Sequence, residues 1–339
     1  MLRLPPFQLH NPTNLDDAAK MLADHGGKAR LLAGGTDLLP NMKRRHQSAA
    51  ALIGLRRVEG LRGIRDSGSG ETAIGAMTTL TDIVRSELIH AKYPMLWRAV
   101  ASISSPVLQS TGTIGGNLCL DTRCTYYNQN EEWRESISFC MKEEGQTCWV
   151  APSSPRCWAI SASDSAPVLS AIEAKVKLVS AGDGERIIAV RDLFNDDGID
   201  YLKKRPDEVL TEVILPDPSA FKASHWKLRR RGSIDYSVLT VGAAAWFDGD
   251  KVQKLNIHLG AVNSYPAVPE KTCEFLIGKI LDEETIAEAA GMSRQGSTPM
   301  DNTDFLARWR GQMVERYVSA ALREIAGLDP GVKKPRHAM

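Results

Sequence analysis

Five of the six cysteines fall in one stretch, at Cys119, Cys124, Cys140, Cys148 and Cys157. Just before them lies a glycine pair, Gly115-Gly116, in "TGTIGGN", and a similar pair, Gly34-Gly35, stands in "LLAGGTDLL". Glycine lacks a Cβ, so a ligand can approach the backbone closely and φ can turn positive. Successive amide N–H groups in such a turn can converge on an anion such as a pyrophosphate. Thr36, Thr113 and Asn117 could add side-chain hydrogen bonds. Either pair alone is equally a plain tight turn. Neither fits the Gly-x-Gly-x-x-Gly fingerprint or the loop ending in Gly-Lys-Ser/Thr. Two such turns in neighbouring lobes nevertheless point to one shared ligand.

The thiols suggest a second chemistry. Cys124, Cys140, Cys148 and Cys157 follow one another at intervals of 16, 8 and 9 positions. Four thiolates suit an iron–sulfur cluster or tetrahedral zinc. Zinc ribbons usually carry Cys-x-x-Cys knuckles, and this stretch has none. Widely spaced single ligands fit a loop wound around a larger cluster, which Phe139, Trp133, Trp149 and Trp158 could shield. Zinc, or reduced thiols used only for packing, are the competing readings. Cys273, in an apolar helix, reads as a buried thiol.

Composition excludes some functions. Lys plus Arg number 42 against 41 Asp plus Glu, so the net charge of +1 gives no sign of a nucleic-acid partner. The start, "MLRLPPFQLH", has neither the apolar run of a secretory signal nor that of an anchor. "VGAAAWF" (241–247), the longest apolar run, is too short for a bilayer, so no membrane association and a cytoplasmic location are expected. The cytosol keeps thiols reduced, which argues against disulfides. No Ser-His-Asp or paired-carboxylate arrangement suggests itself, and the seven histidines are scattered.

The elements that must position these groups follow from pattern. "NPTNLDDAAKMLADHGG" reads as a helix capped by Thr13 or Asn14, with Asp16 and Asp17 in its first turn. "ARLL" and "AALIGL" read as short strands beside it, a small α/β lobe over 1–56. A second lobe, 57–220, holds strands "TAIGAM", "AKVKLVS" and "DEVLTEVILP" and helices "TTLTDIVRS", "YPMLWRAVASI" and "SDSAPVLSAI". Within it, about 121–160 loses all period and reads as an excursion. Residues 221–327 give three strands, with a "DGD" hairpin, then three helices. The tail, 328–339, is expected to be loose.

"ARLLAGGTDLLPNMK", "TGTIGGN" and "SDSAPVLSAI", in that order, resemble the flavin-binding subunit of the molybdenum hydroxylase (xanthine dehydrogenase) family. The resemblance covers most of the chain. It implies an α+β fold: a two-lobed FAD-binding domain of the vanillyl-alcohol-oxidase/PCMH type, then a C-terminal domain of antiparallel sheet and helices. It implies that Leu31, Leu32, Ala33, Gly34, Gly35, Thr36, Asp37 and Leu38 form one FAD loop, and Thr113, Ile114, Gly115, Gly116 and Asn117 the other. It places Ile103 against the cofactor, Asp164 at its polar ribityl or ring-side atoms, Leu210 near the isoalloxazine and Lys227 near the flavin or its phosphates. Read without the family, Asp164 is a helix cap, Ile103 and Leu210 are core residues and Lys227 is a surface lysine.

The family usually places only a few residues between the second loop and "SDSAP", whereas Asn117 and Asp164 here lie 47 positions apart. The inserted stretch resembles that of the 4-hydroxybenzoyl-CoA reductase branch. That resemblance implies a 4Fe-4S cluster on Cys124, Cys140, Cys148 and Cys157, with Cys119 beside the flavin loop and not a ligand. The chain is then expected to carry electrons from ferredoxin through that cluster and FAD. They would pass to a small subunit with two 2Fe-2S clusters and a large molybdopterin-binding subunit, in a dimer of heterotrimers that dehydroxylates 4-hydroxybenzoyl-CoA. The alternatives are a molybdenum hydroxylase oxidising an aromatic or aldehyde substrate, with the flow reversed, and a zinc-stabilised binding module without redox function.

Overall fold

The computed structural model describes residues 2–68 and 70–333. The first lobe is a parallel three-stranded sheet of β1 (Gln8–His10), β2 (Ala29–Leu32) and β3 (Ala51–Gly54), in the order β1-β3-β2. Its helix, Leu15–Asp24, is capped by Asn14, whose side chain accepts from the Asp17 amide at 2.8 Å. Ala18, Ala19 and Leu22 face the sheet and are buried against Ala51 and Ile53.

The second lobe is built on five strands: β4 (Ile64–Asp66), β5 (Thr72–Gly75), β6 (Lys175–Ser180), β7 (Gly184–Ala189) and β8 (Val209–Leu215). Their order is β4-β5-β8-β6-β7, and each neighbouring pair is antiparallel. On β6, Val176, Leu178 and Ser180 are buried while Lys175 is exposed and Lys177 and Val179 are half-buried, the period-2 pattern of a sheet with one covered face. Helices Pro94–Ala101 and Ser165–Ala171 help to cover it. The C-terminal unit is an antiparallel sheet, β9 (Lys222–Leu228), β10 (Leu239–Asp248) and β11 (Lys251–Gly260), in the order β11-β10-β9. Gly249 turns the β10–β11 hairpin with φ +62°. Helix Ala307–Ile325 lays Val314, Val318, Ala321 and Leu322 on this sheet. The architecture is the expected α+β one.

Helix Ser165–Ala171 is wedged between the second lobe and the C-terminal sheet, and all seven of its residues are buried. β10 admits it through Gly242, where a Cβ would stand 2.5 Å from the Pro167 carbonyl carbon. This packing fixes where Asp164, at the head of that helix, must sit.

The excursion of 121–160 leaves the fold through a two-residue bridge. Arg123 and Ile160 exchange backbone hydrogen bonds of 2.9 and 2.7 Å. It is less irregular than its composition suggests, because Asn130 caps a short helix, Glu131–Ser136. The tail is also less loose than expected as far as it is described, since Leu328 and Val332 pack on the C-terminal core; the rest of it, 334–339, lies outside the described residues. Among the described residues no helix is long and apolar enough to cross a membrane.

Gly242→Ala should destabilise the protein by about 1–3 kcal/mol, because neither the helix nor the strand can retreat from an added methyl group. Gly291→Ala, exposed within helix Glu283–Ser293 with open space around it, should instead stabilise by roughly 0.5–1 kcal/mol. Denaturant unfolding of the two variants checks both signs.

Candidate functional site

The two glycine loops meet backbone to backbone. β2 ends at Leu32, and the chain turns through Gly35 at φ +72° into helix Leu38–Lys43. Gly34 is pressed so closely on the Thr111 carbonyl and Gly112 that any Cβ there would overlap them. Together the loops open onto a cavity of about 880 Å³. Its lining includes Leu31, Ala33, Gly34, Gly35, Thr36, Asp37 and Leu38 from the first loop, and Thr113, Gly116 and Asn117 from the second. Ile103, Cys119 and Asp164 join them.

The loops differ in what they offer. Among the described residues, the amides of Gly34, Gly35 and Thr36 find no protein acceptor, so they form an open set of donors facing the cavity. The second loop is not an open turn. Thr113 caps a five-residue helix, Ile114–Leu118, by accepting from the Gly116 amide at 3.1 Å. The amides of Ile114, Gly115 and Asn117 are bonded to Thr78, Ala76 and Thr113 carbonyls. The amides of the second glycine pair are therefore spent within the protein, unlike those of the first. Gly115 packs on Ala76, and what the second loop exposes to the cavity is Gly116 and the two polar side chains beside it.

The single residues fare unequally. Asn117 clamps the loop to the next element, its Oδ1 accepting from Ser163 Oγ, Ser165 Oγ and the Ser165 amide at 2.6–3.2 Å. Asp164 stands where a helix cap would, yet its carboxylate caps nothing. It accepts from Lys227 Nζ at 2.8 Å and from Ser237 Oγ. Lys227 is no surface lysine. Both partners are 4 % exposed, and Nζ also donates to the Ser102 and Asp235 carbonyls. Lys227 thus stands behind Asp164 and does not line the cavity. Leu32, Ile114, Gly115 and Leu210 do not line it either; Ile114 and Leu210 belong to the core of the second lobe.

The four cysteines of the insertion converge. Cys124, Cys140, Cys148 and Cys157 are all buried and unbridged, and they line one small cavity with Tyr126, Tyr127, Met141, Lys142, Trp149 and Val150. Of the aromatic residues expected as a shield only Trp149 is there; Trp158 stacks on Arg156, and Trp133 lies near Tyr126. Burial pushes Cys157 up to about 12 and Cys124 to about 11, and raises Cys140 as well. Among the described residues no three His, Cys, Asp or Glu side chains are arranged for a single metal ion. What the four thiols share is the wall of one small cavity, and four thiolates are a donor set that iron–sulfur clusters and tetrahedral zinc both use.

Pattern reading missed Arg123, Tyr127 and Lys142. Asp37, in the first loop, is ion-paired with Arg123 at the base of the insertion. Arg123 also bonds Asn41 and stands 4.9 Å from the Tyr236 ring. Lys142 and Tyr127 line both cavities. The signal available was the charge of Asp121, Arg123 and Lys142 set among apolar residues and cysteines.

Residues 5–218 match the family model described as the FAD binding domain in molybdopterin dehydrogenase. Residues 221–325 match the C-terminal domain of the CO dehydrogenase flavoprotein. The carbon monoxide dehydrogenase medium chain of Afipia carboxidovorans is 26 % identical over 319 residues, which is 93 % of this chain and 96 % of that one. The aldehyde oxidoreductase FAD-binding subunit of Escherichia coli is 30 % identical over 244 residues, covering 70 % of this chain and 76 % of that one. In fold, the chain superposes on the carbon monoxide dehydrogenase of Hydrogenophaga pseudoflava with a TM-score of 0.78 and 25 % identity, over 96 % of this chain and 99 % of that one.

Lys227→Met leaves the Asp164 carboxylate buried without its cation and should cost about 3–5 kcal/mol of stability. Adding Asp164→Leu should restore a large part of that loss. A double-mutant cycle by chemical denaturation measures the coupling, and additive losses would contradict the pairing.

Proposed function

The chain belongs to the family of FAD-binding subunits of molybdenum hydroxylases and dehydrogenases, and from that premise we propose that it is an electron-transfer wire with two redox centres. The observation that carries this reading is the pair of cavities sharing one wall, the larger edged by free amides and the smaller by four thiols. FAD in the first would exchange electrons singly or in pairs, and a 4Fe-4S cluster in the second would pass them one at a time.

The chain's own residues have positioning work to do. The Gly34, Gly35 and Thr36 amides suit the pyrophosphate, a fixed set of donors needing no reorganisation. Thr36, Thr113, Gly116 and Asn117 line the wall along which the ribityl chain would run, with Ile103 against the ring system. Asp164, its two carboxylate oxygens held by Lys227 and Ser237, offers a rigid acceptor to a polar edge of the cofactor. Cys124, Cys140, Cys148 and Cys157 would give up their protons to ligate iron, and Cys119 lies on the flavin side. Substrate chemistry would take place on a large molybdopterin-binding subunit, reached through a small subunit with two 2Fe-2S clusters.

The named relatives, a carbon monoxide dehydrogenase and an aldehyde oxidoreductase, support the oxidative direction, in which an aromatic or aldehyde substrate is oxidised and electrons leave through this chain. The thiol-lined cavity favours a second reading. Electrons would then enter from a ferredoxin at the cluster and drive reductive dehydroxylation of 4-hydroxybenzoyl-CoA.

The complex purified without oxygen should contain one FAD and four iron atoms per copy of this chain beyond those of the small subunit. Cys140→Ser should remove that iron and its broad visible absorbance while sparing flavin, and Gly35→Val should do the reverse. Zinc in place of iron would overturn the cluster. Reduction of the complex by an aldehyde or heteroaromatic alone would select the oxidative direction, and turnover that needs reduced ferredoxin the other.

A further inference from the structure

The wall between the two cavities holds a buried ion pair whose cation sits on the thiol side. Tyr127 and Lys142 are the two residues that line both cavities. The Lys142 side chain is 5 % exposed, and its Nζ is held by three acceptors: Asp121 Oδ1 at 2.8 Å, Thr122 Oγ1 at 2.8 Å and the Gly198 carbonyl at 2.6 Å. An ammonium has three donors, so this one is fully committed and cannot swing away. The rings of Tyr127 and Tyr201 lie 5.0 and 5.4 Å from it.

The peptide that Lys142 grips is the one that packs on a thiol. Gly198 donates its amide to the Cys157 carbonyl at 3.0 Å, and a Cβ at Gly198 would stand 2.6 Å from Cys157 Sγ. Lys142 itself follows Cys140 by two positions and lines the smaller cavity together with all four thiols. Asp121 faces the other way. Its second oxygen accepts from Gln47 at 2.7 Å, and Gln47 lines the larger cavity and not the smaller. The pair is therefore oriented, with its positive end at the thiols and its negative end at the loops around the larger cavity.

We propose that Lys142 is a positioning residue that raises the reduction potential of the cluster held by the four cysteines, with Asp121 opposing it. The inference rests on the cluster reading above. One-electron reduction adds one negative charge to the cluster and makes or breaks no bond. A fixed cation in a water-poor wall favours that added charge, and Coulomb interaction falls off slowly where the effective dielectric is low.

The test is an anaerobic redox titration of the complete complex, with the reduced cluster followed by electron paramagnetic resonance. Lys142→Gln, which keeps a hydrogen-bonding side chain and loses the charge, should lower the equilibrium constant for reduction about tenfold, a negative shift of about 59 mV. Asp121→Asn should shift the same potential upward. Iron analysis of the parent complex is done first. If that complex holds no iron in this chain, the cluster reading falls and this inference with it. If iron is retained and both variants titrate like the parent, the cluster stands and the role of Lys142 is refuted. If Lys142→Gln loses its iron, Asp121→Asn decides, and an unmoved or lowered potential there overturns the proposal.

Discussion

Everything around the larger cavity depends on one close approach. Gly34 lies against the Thr111 carbonyl and Gly112 with no room for a Cβ. That contact joins a loop after β2, in a parallel lobe, to a loop in a lobe whose sheet is antiparallel. Only a pair of bare backbones can come so near, and nearness lets one face of each loop look into the same space. The loops then divide the work. The first keeps its amides free because it bends at positive φ, outside any helix. The second spends its amides on a helix turn and on the strand end at Ala76, and so can serve as a rigid wall.

Around that contact lie two buried ion pairs, Asp164–Lys227 and Asp121–Lys142, and a half-buried one, Asp37–Arg123. Burying charge in pairs is weak evidence for stability, since desolvation cancels much of the attraction. Their placement is more telling. Each joins different parts of the chain: the head of helix Ser165–Ala171 to β9, the first glycine loop to the base of the insertion, and the entrance of the insertion to its middle. An apolar contact could slide in register, whereas a bonded pair has one geometry.

Much of this was legible in the residues. Periodicity marked the sheets and the long helices, because burial of one face leaves a period of 2 or 3.6. Two glycine pairs and four spaced cysteines marked the two cavities, and Asn117 and Asp164 do sit together at one wall. The short helices Leu38–Lys43 and Ile114–Leu118 were not legible, since six or five residues carry too little period and the second contains Gly-Gly. Pattern alone makes Lys227 a surface lysine, because its burial is decided by Asp164, 63 positions earlier, and by the Ser102 and Asp235 carbonyls. Lys142 was overlooked for the same reason: its acceptors come from 121–122 and from 198.

The insertion also shows how a second cavity can be added without disturbing the first. It enters and leaves through the Arg123–Ile160 bridge, so the strands on either side need not move, and lengthening a surface loop costs little closure entropy. What it lacks is a core of its own. Its buried apolar cluster consists of Cys124, Cys140 and Cys157 with Tyr127 and Ala159, and three of those five are thiols. If those thiols ligate the proposed cluster, metal binding and ordering of this segment would be one event. The polar contacts to Asp37, Asp121 and Gly198 hold the inserted segment against the glycine-loop cavity.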